Sequence, residues 1–266
     1  LGGYKRDLWA VAPRLAGNPS TVTDASQVTR QRQARGGVED TVTSQTDYNG
    51  KINWGGMKHQ LLLGMELVRE DADRWSYAQP AGVANPATTV GNPDLYPLLA
   101  SNYFTQVSRT GQVSYRADTV AFYGQETLEL TQQWKLVIGA RHDSFTADYQ
   151  RAAPQGPLAR TDRVWSTRTG LLYQPTDVAS YYAAVGTSFN PSGELYSLDE
   201  RGANTPPEKN RNIEIGAKWE LADGNLSLRT ALFRSEKSNE RNTDLAVSIE
   251  QNLLSGKRHT DGLEIE

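Results

Sequence analysis

The chain has 266 residues, enough for one large domain or two small ones, and its formal net charge of −3 argues against nucleic-acid binding as its main task. It contains no cysteine, which excludes disulfides and thiolate metal sites. Hydrophobic residues make up only 37%, while 23 glycines, 12 tyrosines and 6 tryptophans favour β structure. No apolar run approaches the ~20 residues of a transmembrane helix.

Candidate strands follow one another along the whole chain. A polar stretch over residues 13–38 separates the first two, a long connection is predicted over 71–111, and a loop is predicted around 150–161. In chain order, the predicted strands are residues 3–11, 41–54, 58–67, 113–128, 134–143, 165–174, 181–189, 212–219, 226–232 and a last segment from 258.

Apolar and polar side chains alternate in most of these segments. In 212–219, one parity gives Ile213, Ile215 and Trp219, whereas the other gives Glu214 and Lys218. Because successive side chains point to opposite faces of a strand, one face is apolar and the other is polar. The pattern predicts a sheet with two different environments on its two sides.

The connections alternate between long and short, as they do in outer-membrane barrels with tight periplasmic turns and long outer loops. Aromatic residues of the apolar parity stand beside the short turns, where an interfacial aromatic girdle is expected. They are Trp54, Trp134, Tyr173, Tyr181 and Trp219. A soluble β-sandwich or propeller would explain the alternation but not this girdle, so the pattern favours an all-β, antiparallel transmembrane β-barrel.

Several segments resemble one family. Residues 182–193 (YAAVGTSFNPSG) are similar to the YxxxxxSFxPSG segment of TonB-dependent siderophore receptors, and 207–219 (PEKNRNIEIGAKW) are similar to the strand that follows it there. Shorter matches are residues 62–66, 122–126, 231–239 and 256–264. The resemblance runs in order along nearly the whole chain, and it is strongest to the catecholate-type ferric-siderophore receptors.

The resemblance implies that residues 1–266 are about ten central strands of a larger plugged barrel, with the plug, the TonB box and the C-terminal strands outside the chain. It implies a receptor in the bacterial cell outer membrane that binds ferric siderophore at its outer loops and imports it with TonB-derived energy. The expected partners are the siderophore, outer-membrane lipid and the TonB complex acting through the plug. No enzyme activity is expected, and no cofactor, because the siderophore holds the iron.

Two other classes remain open at this point. A passive outer-membrane pore would share the alternation and the girdle, but it would have no plug or TonB box upstream. A soluble extracellular β-rich binding module would need no detergent. The three histidines, His59, His142 and His259, have no paired metal-ligand spacing, so no metal site is predicted.

A ferric catecholate is anionic and aromatic, so its site should combine Arg or Lys with Tyr, Trp or Phe. The long outer connections contain such residues. The predicted ligand-binding residues are Arg74, Trp75, Tyr77, Tyr96, Tyr103, Phe104, Arg151, Tyr196 and Arg201.

Two further groups receive structural interpretations. Residues 190–193 (NPSG) are interpreted as a strand terminator, because proline cannot donate to a sheet ladder. Charged residues of the polar parity are expected to meet the plug through salt bridges and hydrogen bonds. They are Arg141, Asp143, Arg168, Glu214 and Lys218.

Overall fold

A computed structural model describes residues 2–15, 19–94, 99, 102–105, 108–151, 153–191, 203–240 and 257–266. These residues form eleven β-strands and a few short 3-10 turns. The strands are β1 (Gly2–Leu15), β2 (Gln27–Trp54), β3 (Met57–Tyr77), β4 (Ala87–Thr89), β5 (Arg109–Glu129), β6 (Trp134–Gln150), β7 (Leu158–Thr176), β8 (Ala179–Asn190), β9 (Glu208–Leu221), β10 (Leu226–Ser238) and β11 (Arg258–Ile265). The predicted all-β antiparallel fold is confirmed. No helix among the described residues is long and apolar enough to cross a membrane.

Every predicted strand is present, and most are longer than predicted. The polar stretch over 13–38 is largely strand, because β1 pairs with residues 28–41 of β2 in one unbroken antiparallel register from Gly2↔Thr41 to Leu15↔Val28. β3 likewise continues to Tyr77, ten residues beyond its predicted end. Ladder hydrogen bonds join backbone groups, so a polar sequence can extend a strand that already has a partner.

The strand order in the sheet is β1-β2-β3-β5-β6-β7-β8-β9-β10-β11, which is the chain order with β4 set aside. The short β4 was not predicted, and it pairs with the start of β2 through Gln27↔Thr89 and Thr29↔Ala87. Contacts divide the chain into two compact units: residues 1–41, 70–115 and 150–157, and residues 42–69, 116–149 and 158–266.

In the second unit, the strand registers place apolar residues of neighbouring strands side by side. Ile215 pairs with Ala183 on β8 and with Leu232 on β10. Ile215 and Leu232 are each 53% exposed. On the other face, the Tyr182 hydroxyl donates to Glu214 Oε1 at 2.5 Å, and Glu214 is half-buried. The alternation therefore gives an exposed apolar face and an opposite face with hydrogen-bonded polar groups.

The aromatic residues beside the short turns form a continuous row across four strands. Trp134 stacks on Tyr173 with ring centroids 4.4 Å apart, Tyr173 lies 6.3 Å from Tyr181, and Tyr181 lies 5.9 Å from Trp219. The turns themselves are short, since β7 ends at Thr176 and β8 begins at Ala179. The row has the position predicted for the girdle.

Two tyrosines of the polar face lie flat over glycines of the next strand. The Tyr182 ring covers Gly216, and the Tyr123 ring covers Gly64. A Cβ atom at either glycine would overlap the ring, so the close approach requires glycine there. Each pair fills the space between neighbouring strands with an aromatic ring whose hydroxyl reaches a carboxylate, Glu214 for Tyr182 and Asp47 for Tyr123.

Replacing Gly216 with alanine is expected to displace the Tyr182 ring and to lower the free energy of unfolding by about 1–3 kcal/mol, the usual range for overpacking. Urea unfolding of the detergent-folded protein measures the change. Gly170→Ala is the matched control, because its new Cβ would meet neighbours only at ordinary contact distances of 3.7 and 3.8 Å. Equal effects of the two substitutions would contradict a specific ring–glycine contact.

The exposed apolar face gives a second test. Ile215→Arg is expected to destabilise the protein folded in a phospholipid bilayer by about 2–4 kcal/mol, because it puts a charge in the middle of the apolar band. Leu226→Arg is the control, since Leu226 is 55% exposed but lies next to the short turn, where about 0–1 kcal/mol is expected. Folding titrations in bilayers distinguish the two, and a soluble fold would show no such dependence on position.

Candidate functional site

Four of the predicted ligand-binding residues gather around Trp9 in the first unit. We call this group the loop-base cluster: Trp9, Trp75, Tyr77, Tyr103 and Phe104. Trp9 stacks on Tyr77 with ring centroids 5.0 Å apart and nearly parallel planes, and it meets Phe104 edge-on at 6.5 Å. Tyr103 contacts Phe104 edge-on at 5.2 Å, and Trp75 contacts Tyr77 edge-on at 6.5 Å. Residues from β1, β3 and the following loop thus share one aromatic core.

Arg32 on β2 joins this core to the loop after β3. Its guanidinium lies 5.1 Å from the Trp9 ring centroid. It also donates to the backbone oxygen of Ala78 at 2.6 Å and to that of Thr105 at 3.2 Å. Only 8% of Arg32 is exposed, so these carbonyls replace the water that a buried cation would otherwise need. Arg32 therefore binds both ends of the loop after β3 to β2.

Burial separates the cluster into supporting and accessible residues. Tyr103 is 1% exposed, Trp75 5% and Tyr77 7%, whereas Phe104 is 39% exposed. The Tyr103 hydroxyl lies 3.0 Å from the Arg30 oxygen, and burial raises the pKa of this phenol. Tyr77 donates to Asp7 Oδ1 at 2.9 Å. The buried rings hold the loop, Trp9 is partly exposed, and Phe104 is the most exposed member of the cluster.

Sequence reasoning missed three members of this region. Trp9, Arg32 and Arg109 were not among the predicted site residues. The Arg109 guanidinium lies 3.8 Å from the Trp75 ring centroid, and Arg109 is exposed. It was placed inside the connection over 71–111, but it begins β5 and is held over the ring by that strand. Exposed Arg109 and Phe104 together present a cation and an aromatic edge.

The other predicted residues lie elsewhere. Arg74 donates to Glu39 Oε1 at 2.6 Å and points away from its neighbour Trp75, as adjacent strand residues do. Arg151 donates to the Gly156 oxygen at 2.7 Å, within the connection between β6 and β7. Tyr96, Tyr196 and Arg201 lie outside the described residues. Ligand binding by any of the nine residues stays a prediction.

The second unit has a polar network on the face that the sequence assigned to the plug. Arg141 donates to Asp143 at 2.9 Å and to Glu66 at 3.1 Å, and its guanidinium lies 5.5 Å from the Tyr123 ring centroid. Arg168 lines a neighbouring groove of about 280 Å³. Lys218 forms an ion pair with Glu220 at 2.6 Å. Contact of these residues with a plug also stays a prediction.

The histidines are far apart in sequence and have different surroundings. His59 pairs with Glu126 at 2.5 Å, His142 packs against Trp165, and His259 lies 3.8 Å from Asp261. Among the residues that the structure describes, no group of three or more His, Asp or Glu is placed to hold a metal ion.

A family profile described as "TonB dependent receptor-like, beta-barrel" matches residues 3–266. The chain belongs to this family. Proteins of the family lie in the outer membrane of Gram-negative bacteria, so the chain is an outer-membrane protein. This agrees with the resemblance found in the sequence and with the strand order of the sheet.

Individual relatives are more distant. The chain is 28% identical over 260 residues to the probable TonB-dependent receptor BfrD of Bordetella pertussis, covering 90% of this chain and 35% of that protein. It is 26% identical over 251 residues to the probable TonB-dependent siderophore receptor PiuA of Acinetobacter baumannii, covering 85% of this chain and 33% of the relative. The crystal structure of the ferric-catecholate import receptor Fiu of Escherichia coli K12 in its closed form superposes with a TM-score of 0.76 at 22% identity, covering 99% of this chain and 41% of that one. The chain spans about a third of the length of the curated relatives that it matches.

Removing the Arg32 side chain is expected to loosen the loop after β3. Arg32→Ala leaves the Ala78 and Thr105 oxygens without their donor, and Arg32→Lys cannot reach both carbonyls with one ammonium group. Both variants should speed hydrogen exchange of the Ala78 amide, which donates to the Ser108 oxygen at 3.0 Å, by at least tenfold. Arg35→Ala on the same strand is the control, because Arg35 is exposed. Unchanged exchange in Arg32→Ala would remove Arg32 from this role.

Proposed function

We propose that this chain is part of an outer-membrane receptor that binds a ferric siderophore at its outer loops and imports it with TonB-derived energy. The observation that supports the proposal most is the family match over residues 3–266, together with relatives that are named siderophore receptors. Since the chain spans about a third of those relatives, the activity belongs to the whole protein.

We infer that residues 1–266 form part of a wider barrel, and that a plug fills its interior against the polar face. Two groups on this face are suited to such contact: Arg141 with Glu66 and Asp143, and Tyr182 with Glu214. Their charged and polar groups already have partners within the barrel, and they still have atoms that can form hydrogen bonds to a plug.

The alternative functions have less support. A passive pore or a soluble β-rich module would share the alternating strands, but neither is the type of protein that the family match or the named relatives represent. The family consists of transport receptors, and we propose that this chain has no enzyme activity.

The chemistry of the loop-base cluster favours an anionic, aromatic ligand. Arg109 offers an exposed guanidinium over Trp75 of this cluster, and Phe104, another member, offers an exposed ring. A ferric catecholate has a negative charge and ring faces, so it can form ion pairs and stacking contacts with these groups. The siderophore surrounds its own iron, so the protein needs charge and aromatic surface at this site, and it needs no metal ligands.

The test is the double variant Phe104→Ala with Arg109→Gln. It is expected to weaken binding of a ferric catecholate by about 30- to 700-fold, from the loss of one stacking contact and one charge-assisted contact of roughly 1–2 kcal/mol each. Binding is measured in detergent by quenching of tryptophan fluorescence in the receptor, and the protein yield is recorded in parallel.

A matched control removes one aromatic ring and one cation far from the loops. Phe122→Ala with Lys51→Gln changes a residue that is 55% exposed on β5 and an exposed lysine near the end of β2, and it should leave the affinity unchanged. A ferric hydroxamate lacks the anionic rings, so the loop double variant should weaken its binding less than it weakens binding of the catecholate. Equal affinities in the wild type and the loop double variant would exclude Phe104 and Arg109 from the site.

A further inference from the structure

Two cations of β2 lie side by side next to the loop after β3. Arg30 and Arg32 are two residues apart on this strand, so their side chains point to the same face and their Cα atoms are about 7 Å apart. In the register with β1, Arg30 pairs with Pro13 and Arg32 pairs with Val11. Because directly paired residues share a face of the sheet, the neighbours that β1 gives to the two arginines are uncharged.

Each of the two guanidinium groups has a buried nitrogen that lacks a hydrogen-bond partner among the described residues. These nitrogens are Arg30 Nη1 and Arg32 Nε. Arg32 uses its other two nitrogens to donate to the backbone oxygens of Ala78 and Thr105, so its Nε–H is the donor that the loop does not satisfy. Buried donors are nearly always paired in native proteins, so two unpaired donors on neighbouring side chains indicate that an acceptor binds there.

The charge of the two arginines is not balanced by carboxylates in the part of the chain that the structure describes. Neither arginine has an acidic side chain within ion-pair distance there. Residues 78–108, which follow β3, include one acidic residue, Asp94. Asp7 is the one acidic residue of β1, and it pairs with Gly36, about 13 Å along β2 from Arg32. A buried cation without a counter-ion is strongly unfavourable, so this pair of cations favours an anion from outside the chain.

Aromatic rings and backbone groups enclose the two arginines. Only 8% of Arg32 is exposed, and its guanidinium lies 5.1 Å from the Trp9 ring centroid. Arg30 is half-buried, and the hydroxyl of Tyr103, which is 1% exposed, lies 3.0 Å from its backbone oxygen. The Arg30 amide donates to the Pro86 oxygen at 2.8 Å. These surroundings exclude most water, which strengthens the attraction between the guanidinium groups and an anion.

The number of unpaired donors indicates a small monovalent anion. Each arginine offers one N–H without another partner. A chloride ion can accept from both at once, whereas a phosphate or sulfate ion would bring several oxygens that these two donors cannot satisfy. An anionic group of a ferric siderophore would have to pass Tyr103 and Arg32, which are almost fully buried. A free halide needs only a brief local opening of the loop.

We propose that this receptor binds a chloride ion between Arg30 Nη1 and Arg32 Nε, next to the loop after β3. The ion accepts the two unpaired N–H groups and balances part of the positive charge, and it therefore stabilises the contact between this loop and β2. The site does not depend on which siderophore the receptor binds, or on whether it binds one.

The first test measures hydrogen exchange of the Arg30 amide in the full-length receptor in detergent. Sodium gluconate is replaced stepwise by sodium chloride at constant ionic strength, because gluconate is too large for the site. Exchange is expected to slow by the factor 1 + [Cl⁻]/Kd, which is about tenfold when chloride is at about ten times its Kd. Equal exchange rates in the two salts would overturn the site.

The variant Arg30→Gln separates anion binding from the loop contacts of Arg32. It removes one charged donor and leaves the bonds from Arg32 to Ala78 and Thr105 in place. Chloride should bind this variant about 10- to 100-fold more weakly, because one charge-assisted hydrogen bond is lost. Circular dichroism verifies that the variant is folded. An unchanged dependence on chloride would exclude Arg30 as a ligand and overturn the proposal.

Arg35→Gln is the matched control, because it removes an exposed cation from the opposite face of the same strand. It should keep the chloride dependence of the wild type. A loss as large as that in Arg30→Gln would show a general effect of salt on β2, and it would also overturn the site.

Crystals of the receptor grown in sodium bromide locate the ion directly. An anomalous peak is expected within hydrogen-bonding distance of Arg30 Nη1 and Arg32 Nε. A water molecule there without anomalous signal would overturn the proposal. Stronger protection of the Arg30 amide by sulfate than by chloride would overturn the monovalent assignment. Disappearance of the bromide peak when a ferric siderophore binds would assign the two donors to the siderophore and overturn the free halide.

Discussion

A strand in a hydrocarbon layer must pair its backbone groups and must present apolar side chains on the side that meets lipid. Both requirements act on the same rows of residues, because directly paired residues in an antiparallel ladder point to the same face. Ile215, Ala183 and Leu232 satisfy them together, and one step along the ladder Glu214 faces the other side with its hydrogen bond from Tyr182. A slip of one residue in register would exchange the two faces, so the requirement for an apolar outer surface also fixes the pairing.

The same ladder continues where the sequence is no longer apolar. β1 and the first half of β2 remain paired over fourteen residue pairs although the side chains of this half of β2 are largely polar. Stability there comes from contacts that alternation does not encode: the ring of Trp9 on Tyr77, and Arg32 binding carbonyls of the loop after β3. The membrane-spanning part is thus specified row by row, whereas the loop base is specified by a few long-range contacts among aromatic and cationic residues.

This difference explains what the sequence could predict. The strands around Ile213 and the girdle at Trp134 and Trp219 follow from local period and turn position, and both are present. The strand over much of 13–38 was missed because period-2 alternation needs an apolar side, and these residues have little. β4 was missed because its three residues are strand only through their pairing with β2. For the site, composition brought Trp75, Tyr77, Tyr103 and Phe104 together, but it could not separate the buried rings from exposed Phe104, since burial depends on Arg32 and Trp9 from distant parts of the chain.

Two tryptophans illustrate how surroundings determine the role of a side chain. Trp75 is 5% exposed under the Arg109 guanidinium, whereas Trp165 packs against His142 and is 66% exposed. A buried indole can hold a cation in position for a ligand that approaches from solvent, but the indole itself does not contact that ligand. An exposed indole at the edge of an apolar face interacts with whatever surrounds that face, and in a membrane this is lipid. The aromatic–cation pair at Trp75 is therefore suited to a soluble anion, whereas the exposed ring of Trp165 is suited to contact with lipid.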